Sequence, residues 1–120
     1  MSTRSITIVG SVALDTIETP FNRKENLIGG SATYATIASG RSSPVYPVGI
    51  VGSDFPLDGF EIFQKYSADL SDFQMVTGNT FRWGGKYDHT MDNRETLFTE
   101  LGVFEGFSPI LSQTCRKSDY

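Results

Sequence analysis

The apolar and polar positions along this chain fall into segments of two periods. Ser5-Ile6-Thr7-Ile8-Val9-Gly10 is a β-branched run ended by glycine, the pattern of a buried strand. Thr16-Ile17-Glu18-Thr19-Pro20 alternates apolar and polar residues and predicts a half-exposed strand. Residues 21–25 are polar and turn-like, and Asn26-Leu27-Ile28 returns as the partner strand. Gly29-Gly30 then makes a corner, and Ser31 is placed to cap a helix over residues 31–40 that Gly40 stops. Ala32, Ala35 and Ala38 recur at three-residue spacing, so one face of that helix is small enough to pack closely on a sheet.

After the break Ser42-Ser43-Pro44, residues 45–52 predict a second buried strand, with Pro47 as a mild objection. Asp54 is placed to cap the next helix and Pro56 suits its first turn. Phe60, Ile62, Phe63 and Tyr66 give that helix an apolar stripe, and Gln74-Met75-Val76 reads as a short strand. The order β, hairpin, α, β, α, β predicts α/β architecture around a parallel sheet with right-handed crossovers. The chain then changes character. Thr80-Phe81-Arg82-Trp83 alternates and is aromatic-rich, residues 89–93 form a polar loop, and Arg94-Glu95-Thr96-Leu97 begins a return strand. Phe81, Trp83 and Tyr87 fit cross-strand packing, and equally fit stacking on a sugar or base. A helix is expected beyond Pro109, through Arg116.

Composition narrows the function classes. The chain has 120 residues, one domain's worth, with a net charge of −4 and a pI of about 4.8. Its basic residues form no cluster, which argues against a nucleic-acid partner. No apolar run is long enough to span a membrane or to serve as a secretion signal. Cys115 and His89 are each the only residue of their kind, so disulfides and multi-cysteine or His-pair metal sites within the chain are excluded. A cytoplasmic location is expected. The most chemically suggestive stretch is the Gly29-Gly30 corner. Glycine lets the backbone pass close to a ligand, and a strand, a corner and a helix N-terminus together can approach a polar or anionic group. Taken alone, the same stretch is a tight turn before a packed helix.

Three segments in order carry a resemblance: Val9-Gly10-Ser11 through Asp15, Gly29-Gly30-Ser31-Ala32-Thr33-Tyr34-Ala35, and Val48-Gly49-Ile50-Val51-Gly52-Ser53-Asp54. Together they resemble the amino-terminal portion of the ribokinase-like (PfkB) carbohydrate kinases, and the two later strands resemble that family's lid ribbon. The resemblance implies an α/β fold: an incomplete Rossmann-like ribokinase core (about residues 5–14, 29–77 and 102–120) with a small β-sheet lid (about 15–28 and 78–101). It implies ATP-dependent phosphorylation of a sugar or nucleoside hydroxyl, with ATP and Mg2+ as cofactors of the full-length enzyme. Asp15 matches the acid that hydrogen-bonds substrate hydroxyls, a task suited to a carboxylate; its alternative is a turn or cap residue. Gly29 and Gly30 match the hinge pair against the substrate. Ser31 and Trp83 complete the substrate-side set, and Asp54 reads as a structural cap.

The sequence departs from that pattern in two ways. Ala13 and Tyr34 stand where family members carry asparagines. The family's Asp-Thr-x-Gly-Ala-Gly-Asp segment, which supplies the catalytic base and anion hole, has no counterpart here, nor has a Walker-type loop. No catalytic, cofactor or metal residue is therefore assigned, and the chain is expected to be a fragment without catalysis of its own. Two other functions stay open: a stand-alone binding module dimerising through the lid, and an unrelated small α/β nucleotide-binding domain. A fragment is also expected to leave Phe60, Phe63, Val48 and Ile50 as apolar surface for a missing half to cover.

Overall fold

The computed structural model describes residues 4–90 and 93–108. Seven strands and two α-helices follow in the order β1 (Ile6–Val9), β2 (Ala13–Glu18), β3 (Arg23–Gly29), α1 (Ser31–Gly40), β4 (Val45–Gly52), α2 (Leu57–Tyr66), β5 (Phe73–Val76), β6 (Phe81–Tyr87) and β7 (Arg94–Glu100); a 3-10 helix, Gly102–Gly106, follows. The helix expected over residues 109–116 lies outside the described residues.

Two sheets divide the strands. The first is parallel, in the order β1-β4-β5. The second has the order β3-β2-β6-β7, with β2 antiparallel to β3 and parallel to β6, and β6 antiparallel to β7. The segment Phe81–Tyr87 is the strand its alternation predicted, and it pairs outside the parallel sheet. Pro47 is accommodated for a geometric reason. In a parallel strand a residue's N–H and C=O point to the same side, alternating along the chain. Pro44 and Val48 offer their carbonyls to β1, so Pro47 turns its missing N–H toward β5, whose pairing with β4 starts only at Gly49.

One core serves both sheets. Val12, Leu14, Ala32, Val51, Phe55 and Phe63 form its buried centre, with Ile8, Ile28, Phe60, Leu70 and Phe73 packed around them. Phe63 stacks on Phe73 with ring centres 4.4 Å apart, and Phe55 meets Phe60 edge-on at 5.1 Å. Burying one such side chain fully contributes about 1.5–3 kcal/mol. The expectation of uncovered apolar surface is corrected here: Phe63, Val48 and Ile50 are buried and Phe60 is half-buried. β4 is the central strand, flanked by β1 and β5, with α1 and the 3-10 helix packed against it. Within the parallel sheet the exposed large apolar side chains lie on the outer strands, at Val9, Met75 and Val76.

Three local expectations also change. Arg23, Lys24 and Glu25 belong to β3 and not to a turn. The turn is residues 19–22, where the Thr19 hydroxyl oxygen accepts from the amides of Phe21 and Asn22. β3 is an edge strand, and charged residues suit an exposed edge. The buried face of α1 is Ala32, Thr33 and Thr36, while Ala38 is exposed. Ser31 is the first helical residue, and Gly30 occupies the cap position without a side-chain hydrogen bond.

Candidate functional site

The loop joining β1 to β2 and the corner joining β3 to α1 meet beside the second sheet. Gly30 holds φ at +92°, and a Cβ there would collide with the Ser11 carbonyl, so this position is closed to other residues. Ser11 and Ser31 bond reciprocally. The Ser31 amide donates to Ser11 Oγ at 3.2 Å, the Ser11 amide donates to Ser31 Oγ at 3.3 Å, and the Ala32 amide donates to the Ser11 carbonyl at 2.9 Å. The first amides of α1 are thereby engaged by the protein itself, which corrects the expectation that this helix N-terminus offers them to a ligand.

An open cavity of about 350 Å³ lies over this corner, within the size range of small-molecule sites. Alternation along β2 sends Ala13, Asp15 and Ile17 to the cavity face, and alternation along β6 sends Phe81, Trp83 and Tyr87 there. Gly30, Ser31 and Tyr34 from α1 and its corner, and Arg94 from β7, complete the wall. Four of the five residues singled out from sequence, Asp15, Gly30, Ser31 and Trp83, line this one cavity. Gly29 is buried and does not line it; the Asp15 carboxylate packs where a Gly29 Cβ would stand.

Asp15 is half-buried and its carboxylate has no hydrogen-bond donor among the described residues. Burial pushes its carboxyl above the ordinary value. Trp83 faces Asp15 in the strand register. Its indole lies across Gly85, where any Cβ would strike the ring, and the Arg94 guanidinium sits over the ring 5.3 Å from a ring centre. The cavity thus combines an unsatisfied acceptor with aromatic faces, which suits a ligand with hydroxyls on one side and a flat apolar face.

Asp54 is not a helix cap. Its Oδ1 accepts from the Thr80 amide at 2.8 Å and the Thr80 hydroxyl at 2.6 Å, and its Oδ2 accepts from Arg82 at 2.8 Å. Burial alone would raise this carboxyl, but Thr80 and Arg82 outweigh it and hold it below the ordinary value. Arg82 also donates to Asn26 Oδ1 at 2.7 Å. One carboxylate therefore ties the end of β4 to β6 and, through Arg82, to β3.

Sequence reasoning left Ile17 and Arg94 out of the site and noted Ala13 and Tyr34 only as departures from the family's asparagines. Period-2 alternation from Asp15 would have found Ala13 and Ile17. Arg94 needed the hairpin register, which pairs it with Tyr87.

Chains of known structure share this fold. The nucleoside kinase of Burkholderia thailandensis in complex with inosine matches with a TM-score of 0.70 at 16% identity, over 84% of this chain and 37% of that one. The nucleoside kinase of Methanocaldococcus jannaschii, an archaeal member of the ribokinase family, matches with a TM-score of 0.69 at 20% identity, over 92% and 43%. The ribokinase of Cryptococcus neoformans in complex with ADP matches with a TM-score of 0.66 at 16% identity, over 84% and 35%. The two sheets and two helices thus form part of a ribokinase-like fold, and the chain spans about 35–43% of the length of these kinases. No family model matches the sequence and no curated protein matches it.

Proposed function

We propose that this chain is the substrate-side, amino-terminal part of an ATP-dependent sugar or nucleoside kinase. In this reading residues 5–14, 29–77 and 102–120 belong to its core, and residues 15–28 and 78–101 form a lid over the substrate. The observation that carries it is Asp15: an acceptor with no donor among the described residues, on the wall of an aromatic-lined cavity, in a ribokinase-like fold. The Asp15 carboxylate accepts hydrogen bonds from two neighbouring ligand hydroxyls and so fixes which hydroxyl points out of the cavity. The Gly29-Gly30 corner gives the carboxylate and the ligand room, Ser31 borders the ligand, and Trp83 stacks on its apolar face.

ATP and Mg2+ belong to the full-length kinase in this reading. The described residues do not fit them: among these, no group of three His, Cys, Asp or Glu could hold a metal ion, and no glycine-rich phosphate loop is present. No step of phosphate transfer is therefore assigned to these residues. Among them, no helix is long and apolar enough to cross a membrane, and a cytoplasmic location accords with the family resemblance.

The test joins this chain to the carboxyl-terminal part of a ribokinase-like kinase and follows ATP-dependent phosphorylation of sugars and nucleosides. Restored turnover that Asp15→Ala lowers at least about tenfold is expected. Transfer by the isolated chain, or turnover indifferent to Asp15→Ala, defeats the reading. One observation favours the binding-module alternative: Phe63, Val48 and Ile50 are already covered. That alternative includes a homodimer through the lid, and a stable monodisperse dimer of the isolated chain that binds a sugar is the result expected of it.

A further inference from the structure

Two charged side chains line the cavity, Asp15 and Arg94. They are not an ion pair. Among the described residues the salt bridges join Arg23 to Glu18 and Glu25, and Arg82 to Asp54, and burial is the one influence that shifts Asp15. Asp15 faces Trp83 in the register and Arg94 faces Tyr87. Their backbone positions thus lie four residues apart along β6 (87 − 83), about 13 Å of strand. The cavity is bipolar, with its acceptor and its cation anchored at different points.

Arg94 differs from Arg23 and Arg82 in its partner. Each of those has a carboxylate, whereas Arg94 rests on the ring of Trp83. The Arg94 guanidinium carbon lies 5.3 Å from a Trp83 ring centre, and no acceptor among the described residues takes its N–H donors. The platform beneath it is fixed, because the Trp83 indole is seated on Gly85. The backbone amides at the corner are spent, since those of Ser31 and Ala32 go to Ser11. Arg94 is thus the cation of this cavity among the described residues, with its donors uncommitted.

We propose that Arg94 is a specificity-determining residue of the cavity. It selects a polyhydroxylated ligand that carries an anionic oxygen group, phosphate or carboxylate, at the end away from the hydroxyls bound by Asp15. This inference rests on the sugar-binding reading above and adds the charge of the ligand. The fork geometry of arginine accepts a phosphate or a carboxylate bidentately, and the cation–π contact with Trp83 holds the fork in place.

Trp83 is the sole tryptophan of the chain, so its fluorescence reports on this cavity directly. The full chain is titrated with ribose, its terminal phosphate ester and its aldonic acid, and with the same three forms of glucose. One of the anionic forms is expected to bind about tenfold to a hundredfold tighter than its neutral sugar. The form that does so distinguishes phosphate from carboxylate. Arg94→Gln should abolish that preference, and Arg94→Lys should restore part of it. Neutral and anionic forms that bind equally overturn the role of Arg94 and leave the sugar site standing. That role is overturned too if Arg94→Gln, folded by circular dichroism, loses neutral and anionic ligands alike. No saturable change with any of the six ligands overturns both readings.

Discussion

Asp15 and Asp54 are the same side chain in opposite circumstances. Asp54 accepts three hydrogen bonds, one of them from an arginine, and is held below the ordinary carboxylate range. Asp15 is half-buried, accepts none among the described residues, and is pushed above that range by burial. Among the described residues the fully enclosed side-chain atoms without a partner are Thr36 Oγ1 and Ser67 Oγ; the Asp15 carboxylate instead opens on the cavity, where solvent or a ligand supplies donors. The satisfied carboxylate holds the fold together; the unsatisfied one waits for donors that a ligand brings. The two regions are also joined. Arg82 and Asp15 lie on opposite faces of the second sheet, since Leu14 pairs with Arg82 and Asp15 with Trp83. From the far face Arg82 spans from Asp54 to Asn26. In the sheet order β3-β2-β6-β7 this strap crosses the strand that carries Asp15.

The largest expected effect follows from cutting the strap at Asp54. Asp54→Ala removes the acceptor of Thr80 and leaves the Arg82 guanidinium without its counter-charge, which should destabilise the chain by about 3 kcal/mol in urea unfolding. A loss below about 1 kcal/mol would mean that Asp54 is no more than a surface acid and the contrast with Asp15 is false. Next comes the corner. Gly30→Ala meets the Ser11 backbone at positive φ, and about 1–3 kcal/mol should be lost. Gly29→Ala meets the end of the Asp15 side chain, which can rotate away. Its stability cost should stay under about 1 kcal/mol while the displaced carboxylate no longer serves the cavity. Calorimetry on both variants, with a sugar titration of each, separates the two glycines.

The elements of this chain were legible because their periods are unambiguous: the β-branched run before Gly10, the alternation around Trp83, the stripe of Phe60 and Phe63. The corner was legible from its glycines as a turn before a helix, and its neighbours in the site came from the family resemblance and not from the pattern. What escaped is long-range. Asp54 looked like a cap because Pro56 follows it, but its partners Thr80 and Arg82 lie 26 and 28 residues away. Ser31 looked like a cap because it opens the helix, yet its hydroxyl goes to Ser11, 20 residues before it. Charged residues 23–25 looked like a turn because an edge strand tolerates them as well as a loop does. Arg94 could not be placed without knowing that it faces Tyr87. Val48 and Ile50 read as buried from their apolar run and as uncovered from the fragment expectation, and the structure sides with the run.

The smallest effect has the sharpest sign. A carboxyl whose folded pKa is lowered supports the fold above its unfolded pKa, near 3.9, and loses that support as pH falls through the folded value. Asp54 is in this position. A carboxyl whose folded pKa is raised does the reverse. The folded state gains from its protonation below about 3.9, and the gain disappears as pH rises through the folded value. Asp15 is in this position. Asp15→Asn should therefore stabilise the chain at neutral pH, by less than about 1 kcal/mol because the site is partly open to solvent, and should change nothing near pH 3. Asp54→Asn should destabilise it at neutral pH and progressively less as the acid limb is approached. Urea midpoints of the two variants across that range test both signs on one scale. If Asp15→Asn destabilises at neutral pH, the Asp15 carboxylate has a structural partner, and the contrast on which its binding role rests is gone. If it stabilises the fold and weakens sugar binding together, the chain keeps a costly carboxylate for its ligand, as a stability–activity trade-off requires.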